Sequence, residues 1–151
     1  MQTLPHRYAV TASGVVEGDV DLVTPRVTHL RSASPAEFDG PGNRWSPETL
    51  LVGAVGDCFI LTFRAVARAS KLPWTSLHCD VTGTLDRIER VTQFTRFDIH
   101  ARLEVPVGID PDLARRLLDK AEHGCLVSRS LKAETHLVAD VEIAAEPLRT
   151  A

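Results

Sequence analysis

The chain has 151 residues, 44% of them hydrophobic and 25% charged, with a formal net charge of −3 at pH 7. This length suits one domain over residues 1–151, and the charge balance argues against nucleic-acid binding and against docking on an anionic membrane. We find no secretory signal and no stretch approaching the roughly 20 apolar residues of a membrane span. Three cysteines without an export signal favour a cytoplasmic protein with free or catalytic thiols.

The N-terminal segment is predicted to form a small sheet followed by an ordered loop. Residues 8–23 alternate around Glu17-Gly18, which is typical of a β-hairpin with a tight turn, and a third strand is expected around Val27 to Leu30. The next segment, SASPAEFDGPGNR, is rich in Ser, Pro and Gly. This composition indicates an ordered loop rather than a linker.

A long helix is predicted next, starting at Pro47 and reaching about Ser70. Ser46 is placed to cap it, Pro47 suits the first helical position, and Glu48 falls in the first turn. The segment ends before Pro73, which cannot continue a helix.

The surface of this helix is apolar on almost every side. Beyond Glu48 in the first turn, its charged residues are Asp57, Arg64 and Arg68, which lie within about 40° of one another at about 100° per residue. A helix with one thin polar stripe is typical of a central, largely buried position. Because one modest sheet cannot cover so much apolar surface, we expect an obligate homodimer whose central helices pack together.

Three strands and a second helix follow. Period-two alternation gives three strands, whose predicted buried residues are Leu77, Cys79, Val81 and Leu85, then Phe97, Ile99, Ala101 and Leu103, then Thr135, Leu137, Ala139, Val141 and Ile143. The helix between the last two strands has Asp110 as cap, Pro111 at its start and Gly124 at its end. Its predicted apolar side consists of Leu113, Leu117, Leu118 and Ala121. The pattern predicts an α+β domain with an antiparallel sheet covered by helices.

Two of the three cysteines form a candidate reactive pair. Cys79 lies on the apolar face of a strand, where a free thiol is usually a packing residue. Cys58 lies in the apolar run VGDCFILTF, and Cys125 follows the predicted end of the second helix. Taken alone, either cysteine would be interpreted as an ordinary buried residue. A thiol in an apolar pocket reacts selectively with apolar oxidants, provided that a cation or helix dipole keeps it ionised and a second thiol resolves the oxidised form.

Other kinds of site have little support in the sequence. The six histidines include no pair at i,i+3 or i,i+4 spacing, which argues against zinc. Neither a GxGxxG motif nor a P-loop is present, so we expect no metal and no nucleotide cofactor.

The segment NRWSPETLLVGAVGDCFILTF, followed about 67 residues later by AEHGCLVSRSL, resembles the OsmC/Ohr family of thiol peroxidases. The resemblance covers most of the chain. It implies a single OsmC-like domain in which antiparallel β-sheets pack around a long buried central helix, in an intertwined homodimer with active sites at the interface. It assigns Cys58 as the peroxidatic cysteine, Cys125 as the resolving cysteine and Glu48 as the family's glutamate. The implied partners are an organic hydroperoxide and a dithiol or lipoylated protein as reductant.

The arginine that would activate the thiolate is not identified. The family usually carries an Arg on the early hairpin or the loop beside it, and the matching segment SGVVEGDV has none. The nearest substitutes are Arg26, Arg31 and Arg44, and the sequence does not choose among them.

The position of Glu48 raises a geometric question. It precedes Cys58 by ten residues, about 15 Å along a straight helix. It would therefore act through a bridging cation, at the other subunit's site, or across a break of the helix near Gly53 or Gly56. A plain helix-dipole role is equally compatible with this position.

Two further functions stay open beside peroxide reduction. Without its arginine, the same fold would suit a non-catalytic module that binds an apolar ligand at the dimer interface. The thiols would also suit chemistry on other electrophiles, such as disulfides.

Overall fold

The computed structural model describes residues 2–145, and its elements confirm the predicted α+β class. In chain order they are β1 (Thr11–Ser13), β2 (Val20–Val23), β3 (Leu30–Ser32), a short 3-10 helix (Ala36–Phe38), α1 (Pro47–Ala69), β4 (Ser76–Ile88), β5 (Val91–Val105), α2 (Pro111–Gly124), α3 (Leu126–Arg129) and β6 (Glu134–Ile143). The chain divides into two compact units, Met1–Leu51 and Val52–Ala151. The single-domain organisation stays a prediction.

The first unit contains the small antiparallel sheet in the order β1-β2-β3. The tight turn expected at Glu17-Gly18 is wider than predicted, because residues 14–19 connect β1 to β2. The third strand begins later than expected, since Val27 lies in a turn where its N–H donates to the carbonyl of Thr24 at 3.4 Å.

The first turn of α1 has the predicted cap. The backbone N–H of Thr49 donates to the Ser46 hydroxyl at 3.1 Å, and the N–H of Ser46 donates to the Thr49 hydroxyl at 2.9 Å. These reciprocal bonds satisfy donors that a helix start leaves unpaired. From Pro47 the helix continues without interruption through Gly53 and Gly56 to Ala69, so the helix break considered for Glu48 does not occur.

Only one face of α1 is buried in this chain. The buried residues are Val55, Phe59, Phe63 and Ala67, which follow i,i+4 spacing, and Gly56 beside them. Other apolar residues are partly or largely exposed, and Leu61 is 51% exposed. The prediction of a largely buried helix is therefore met on one face only, because the remaining apolar surface has no cover in a single chain.

By length and composition α1 also suffices to cross a membrane, so the expectation that no stretch approaches a membrane span is wrong. Core helices of globular proteins meet the same criterion.

The second unit contains the larger sheet, in the order β4-β5-β6. The strands β4 and β5 are antiparallel, as predicted, with Cys79 opposite Ala101. The strand β6, however, runs parallel to β5, with Ala101 opposite Ala139. This pairing corrects the expectation of a purely antiparallel sheet: α2 and α3 form a crossover that returns the chain to the end where β5 began.

The core of the second unit is built on β5. All four residues predicted to be buried there, Phe97, Ile99, Ala101 and Leu103, are at most 1% exposed. The predicted faces of the outer strands are only half-buried, and Ile143 is 52% exposed. The helix α1 lies against β4, since a Cβ added at Gly56 would be 3.0 Å from the side chain of Val81.

The helix α2 has the expected ends and a slightly different buried face. The N–H of Asp112 donates to the Asp110 carboxylate at 2.9 Å, which confirms the cap. The buried residues are Ala114, Leu117, Leu118 and Ala121. The predicted Leu113 is 36% exposed, because Ala114 occupies the buried position in the 3.6-residue period.

Candidate active site

The second unit brings Cys58 and Cys125 together. Cys58 lies in the middle of α1 and is half-buried, whereas Cys125 is fully buried at the junction of α2 and α3. The end of α2 packs on α1, since a Cβ added at Gly124 would be 3.6 Å from the Thr62 methyl group. The two thiols are close enough to affect each other's pKa, and both are free.

The surroundings of Cys58 favour its thiolate. Burial raises the pKa of this thiol, but the backbone N–H of Val127, the Cys125 thiol, the Thr62 hydroxyl and the N–H of Leu126 together hold its pKa below the ordinary value. The Thr62 hydroxyl donates to the Cys58 carbonyl at 2.7 Å and lies 3.9 Å from its sulfur. Hydrogen bonds to an anion stabilise it, so the start of α3 supplies part of the stabilisation expected of a cation.

The surroundings of Cys125 favour its neutral form. Burial raises the pKa of this thiol, the hydroxyl and backbone of Ser128 oppose the rise, and the neighbouring Cys58 adds to it. The net shift of the Cys125 pKa is upward. The two thiols therefore differ in acidity: Cys58 ionises first, and its partial exposure makes it the sulfur that a reagent reaches first.

Cys79 lies on β4. Burial, with a smaller contribution from Asp80, raises the pKa of Cys79 to about 11. This environment matches its interpretation as a packing residue.

Glu48 belongs to the first unit and lies in the first turn of α1. One of its carboxylate oxygens, Oε2, is buried without a hydrogen-bond partner among the described residues. It lines a cavity of about 530 Å³ within this unit, whose other walls include Val20, Leu22 and Phe38. A buried carboxylate oxygen without a donor is energetically costly. This cavity has space for a hydrogen-bond donor that would pair with Oε2.

The three candidate arginines also lie in the first unit. Arg44 pairs with Asp19 at 3.0 Å, and Arg31 lies 3.8 Å from Asp21 with 69% of its side chain exposed. Arg26 is in a turn with a positive φ of 63°. The assignment of one of them to Cys58 stays a prediction.

Sequence reasoning missed the groups that contact the two sulfurs. The i,i+4 spacing of Cys58 and Thr62 on a helix was a usable signal, as was the Cys-x-x-Ser spacing of Cys125 and Ser128. The backbone N–H groups of residues 126 and 127 carry no such signal, because every non-proline residue has one.

A half-buried thiol of lowered pKa beside a buried thiol of raised pKa is an arrangement suited to two-cysteine redox chemistry. Thiol-dependent redox proteins use sites of this kind, and here the half-buried thiol lies on the long helix of an α+β fold. The chain belongs to the OsmC/Ohr family: the sequence model described as OsmC-like protein matches residues 40–139.

Individual relatives agree with this assignment. The uncharacterized protein YmaD of Bacillus subtilis (strain 168) is 33% identical over 119 residues, covering 74% of this chain and 78% of YmaD. Peroxiredoxin OsmC of Escherichia coli (strain K12) is 29% identical over 92 residues, covering 61% of this chain and 64% of that protein. The structure of a Legionella pneumophila organic hydroperoxide resistance protein OsmC has a TM-score of 0.73 at 23% identity, covering 93% of this chain and 99% of that one. The predicted family and its fold are confirmed.

Proposed function

We propose that this protein is a cysteine-based thiol peroxidase that reduces organic hydroperoxides. The observation that carries the proposal is the proximity of Cys58 and Cys125, of which Cys58 is the more exposed thiol and has surroundings that lower its pKa. Family membership supports a peroxidase-type role, and the Legionella relative is described as an organic hydroperoxide resistance protein.

The chemistry proceeds in three balanced steps. The Cys58 thiolate attacks the O–O bond of the hydroperoxide, which forms the sulfenic acid and releases an alkoxide that takes up a proton to become the alcohol. The Cys125 thiol then condenses with the sulfenic acid, forming the disulfide and water. A dithiol, such as a lipoyl group carried on a protein, reduces the disulfide by thiol–disulfide exchange and is itself oxidised.

The proposal assigns Glu48 a role through a cation rather than by direct contact with Cys58. The unpaired Oε2 needs a donor, and one of Arg26, Arg31 and Arg44, or a group from a second subunit, is the source we propose. The homodimer, the reducing cytoplasm and the absence of a metal, nucleotide cofactor, nucleic-acid or membrane partner are further parts of the same proposal.

The test follows the thiols through one turnover. Purified protein is treated with one equivalent of cumene hydroperoxide, and each cysteine is identified by mass spectrometry before and after dihydrolipoamide is added. We expect a reversible Cys58–Cys125 disulfide in the wild type, no oxidation in Cys58→Ser, and a trapped sulfenic acid in Cys125→Ser. Cys79→Ala is the matched control and should behave as the wild type does.

The opposite result favours the alternative function. If the wild-type thiols stay reduced and Cys58→Ser consumes peroxide no more slowly, the protein is better explained as a non-catalytic module for an apolar ligand. If disulfides oxidise the pair and hydroperoxides do not, its chemistry is directed at other electrophiles.

A further inference from the structure

Ser128 is a buried hydroxyl that hydrogen-bonds a sulfur. It is 8% exposed, and its Oγ donates to the Sγ of Cys125 at 3.3 Å. Ser130, two residues further along, instead donates to the carbonyl of Leu126 at 2.8 Å, the ordinary i−4 bond of a serine at a helix end. The two serines share a segment and differ in their acceptor.

The Ser128 hydroxyl supplies what a buried resolving thiol lacks. Cys125 is fully buried, and an apolar setting disfavours its thiolate, which is the nucleophile. Apart from burial, the groups within the described residues that shift the pKa of Cys125 are those of Ser128 and Cys58, and no cation is among them. A hydroxyl that donates to a thiolate is a charge-assisted hydrogen bond, which is stronger than a neutral one.

We propose that Ser128 is a positioning residue whose hydroxyl orients the Cys125 sulfur and stabilises it as a thiolate during its attack on oxidised Cys58. The inference rests on the proposed function and concerns only its second step. The Cys125 thiol loses its proton, its sulfur forms the S–S bond with Cys58, and the S–O bond of the sulfenic acid breaks. The departing hydroxide takes up that proton as water.

The experiment separates this step from the first one. After rapid mixing with cumene hydroperoxide, sulfenic acid formation and its decay to the disulfide are measured as two rates, in the wild type and three variants. Ser128→Ala should slow the decay about tenfold, the loss of one hydrogen bond to a charged group, and move its pH profile to higher pH. The rate of sulfenic acid formation should change less than about twofold, because Ser128 does not donate to Cys58.

Two controls exclude a merely structural effect. Ser128→Thr keeps the hydroxyl and should restore the decay rate and its pH profile, while Ser130→Ala removes a hydroxyl from the same segment and should leave both unchanged. Should Ser128→Ala fail to fold by circular dichroism, Ser128→Gly removes the same donor and is measured in its place.

The outcomes distinguish the role of Ser128 from the proposed peroxidase function on which it rests. Decay at the wild-type rate with an unshifted pH profile in the variant lacking the hydroxyl overturns the role of Ser128 and leaves the peroxidase intact. A wild type that forms no sulfenic acid overturns the proposed function, and the inference with it.

Discussion

The three cysteines of this chain have the same thiol group in three different environments. The backbone N–H groups of Leu126 and Val127, at the start of α3, lower the pKa of Cys58, whereas Cys125 lies in a fully buried position with the Ser128 hydroxyl as a donor. Cys79 is half-buried, as Cys58 is, but its pKa is raised rather than lowered. The donors beside Cys58 lower its pKa and the burial of Cys79 raises the pKa of that thiol, so donors and burial together distinguish the candidate reactive thiol from the packing thiol.

The environment of Cys79 predicts a loss of stability at alkaline pH. Its pKa is about 11 in the folded chain and ordinarily 9.0, so the unfolded state releases this proton first. The contribution of Cys79 to the free energy of unfolding is complete below about pH 9 and declines as the pH rises from 9 to 11. Urea unfolding of the wild type and of Cys79→Ala at pH 8 and pH 10.5 measures how much the free energy of unfolding declines between the two pH values. The decline should be smaller in the variant, and equal declines would contradict the assignment.

At the scale of the elements, β4 and α1 pack closely at two glycines, Gly56 and Gly83. A Cβ added at Gly83 would be 2.7 Å from the side chain of Val52 and 2.9 Å from that of Phe94. Phe94 in turn stacks on Phe97, with ring centroids 5.2 Å apart, so it has little freedom to withdraw. Gly83 therefore sets the packing distance between this helix and its sheet.

We predict that Gly83→Ala destabilises the protein by about 1–3 kcal/mol, because an added methyl group forces packed side chains to move. Urea unfolding by circular dichroism gives the free energy of unfolding. Gly14→Ala is the matched control, since a Cβ there meets the Val20 side chain at an ordinary 3.5 Å. Equal stability of the two variants would show that the helix and sheet have room to separate.

At the scale of the whole molecule, the apolar surface of α1 exceeds what one chain covers. Leu61 is 51% exposed on a helix with five buried residues, and the family resemblance implies a second copy. We therefore propose a homodimer in which a partner helix covers this surface.

The dimer prediction is tested by sedimentation equilibrium at micromolar concentration. We expect the wild type to be a dimer and Leu61→Glu to shift it toward monomer, because the substitution places a charge in an apolar interface. Lys120→Gln, which removes an exposed charge on α2 and leaves α1 unchanged, should leave the dimer intact. A wild type that is a stable monomer at this concentration would refute the prediction.

Local patterns in the sequence were enough for most helices and strands, the caps at Ser46 and Asp110 and the buried face of β5, because periodicity and capping act over a few residues. They did not predict α3, the wider turn between β1 and β2 or the start of β3. Only the tertiary structure decided the parallel pairing of β6, the approach of the α3 backbone to Cys58, and the choice of Cys125 as the acceptor of the Ser128 hydroxyl. Each of these depends on groups far apart in the chain, or on one of several acceptors within reach. Their geometry is set by how the elements pack, which residue spacing does not encode.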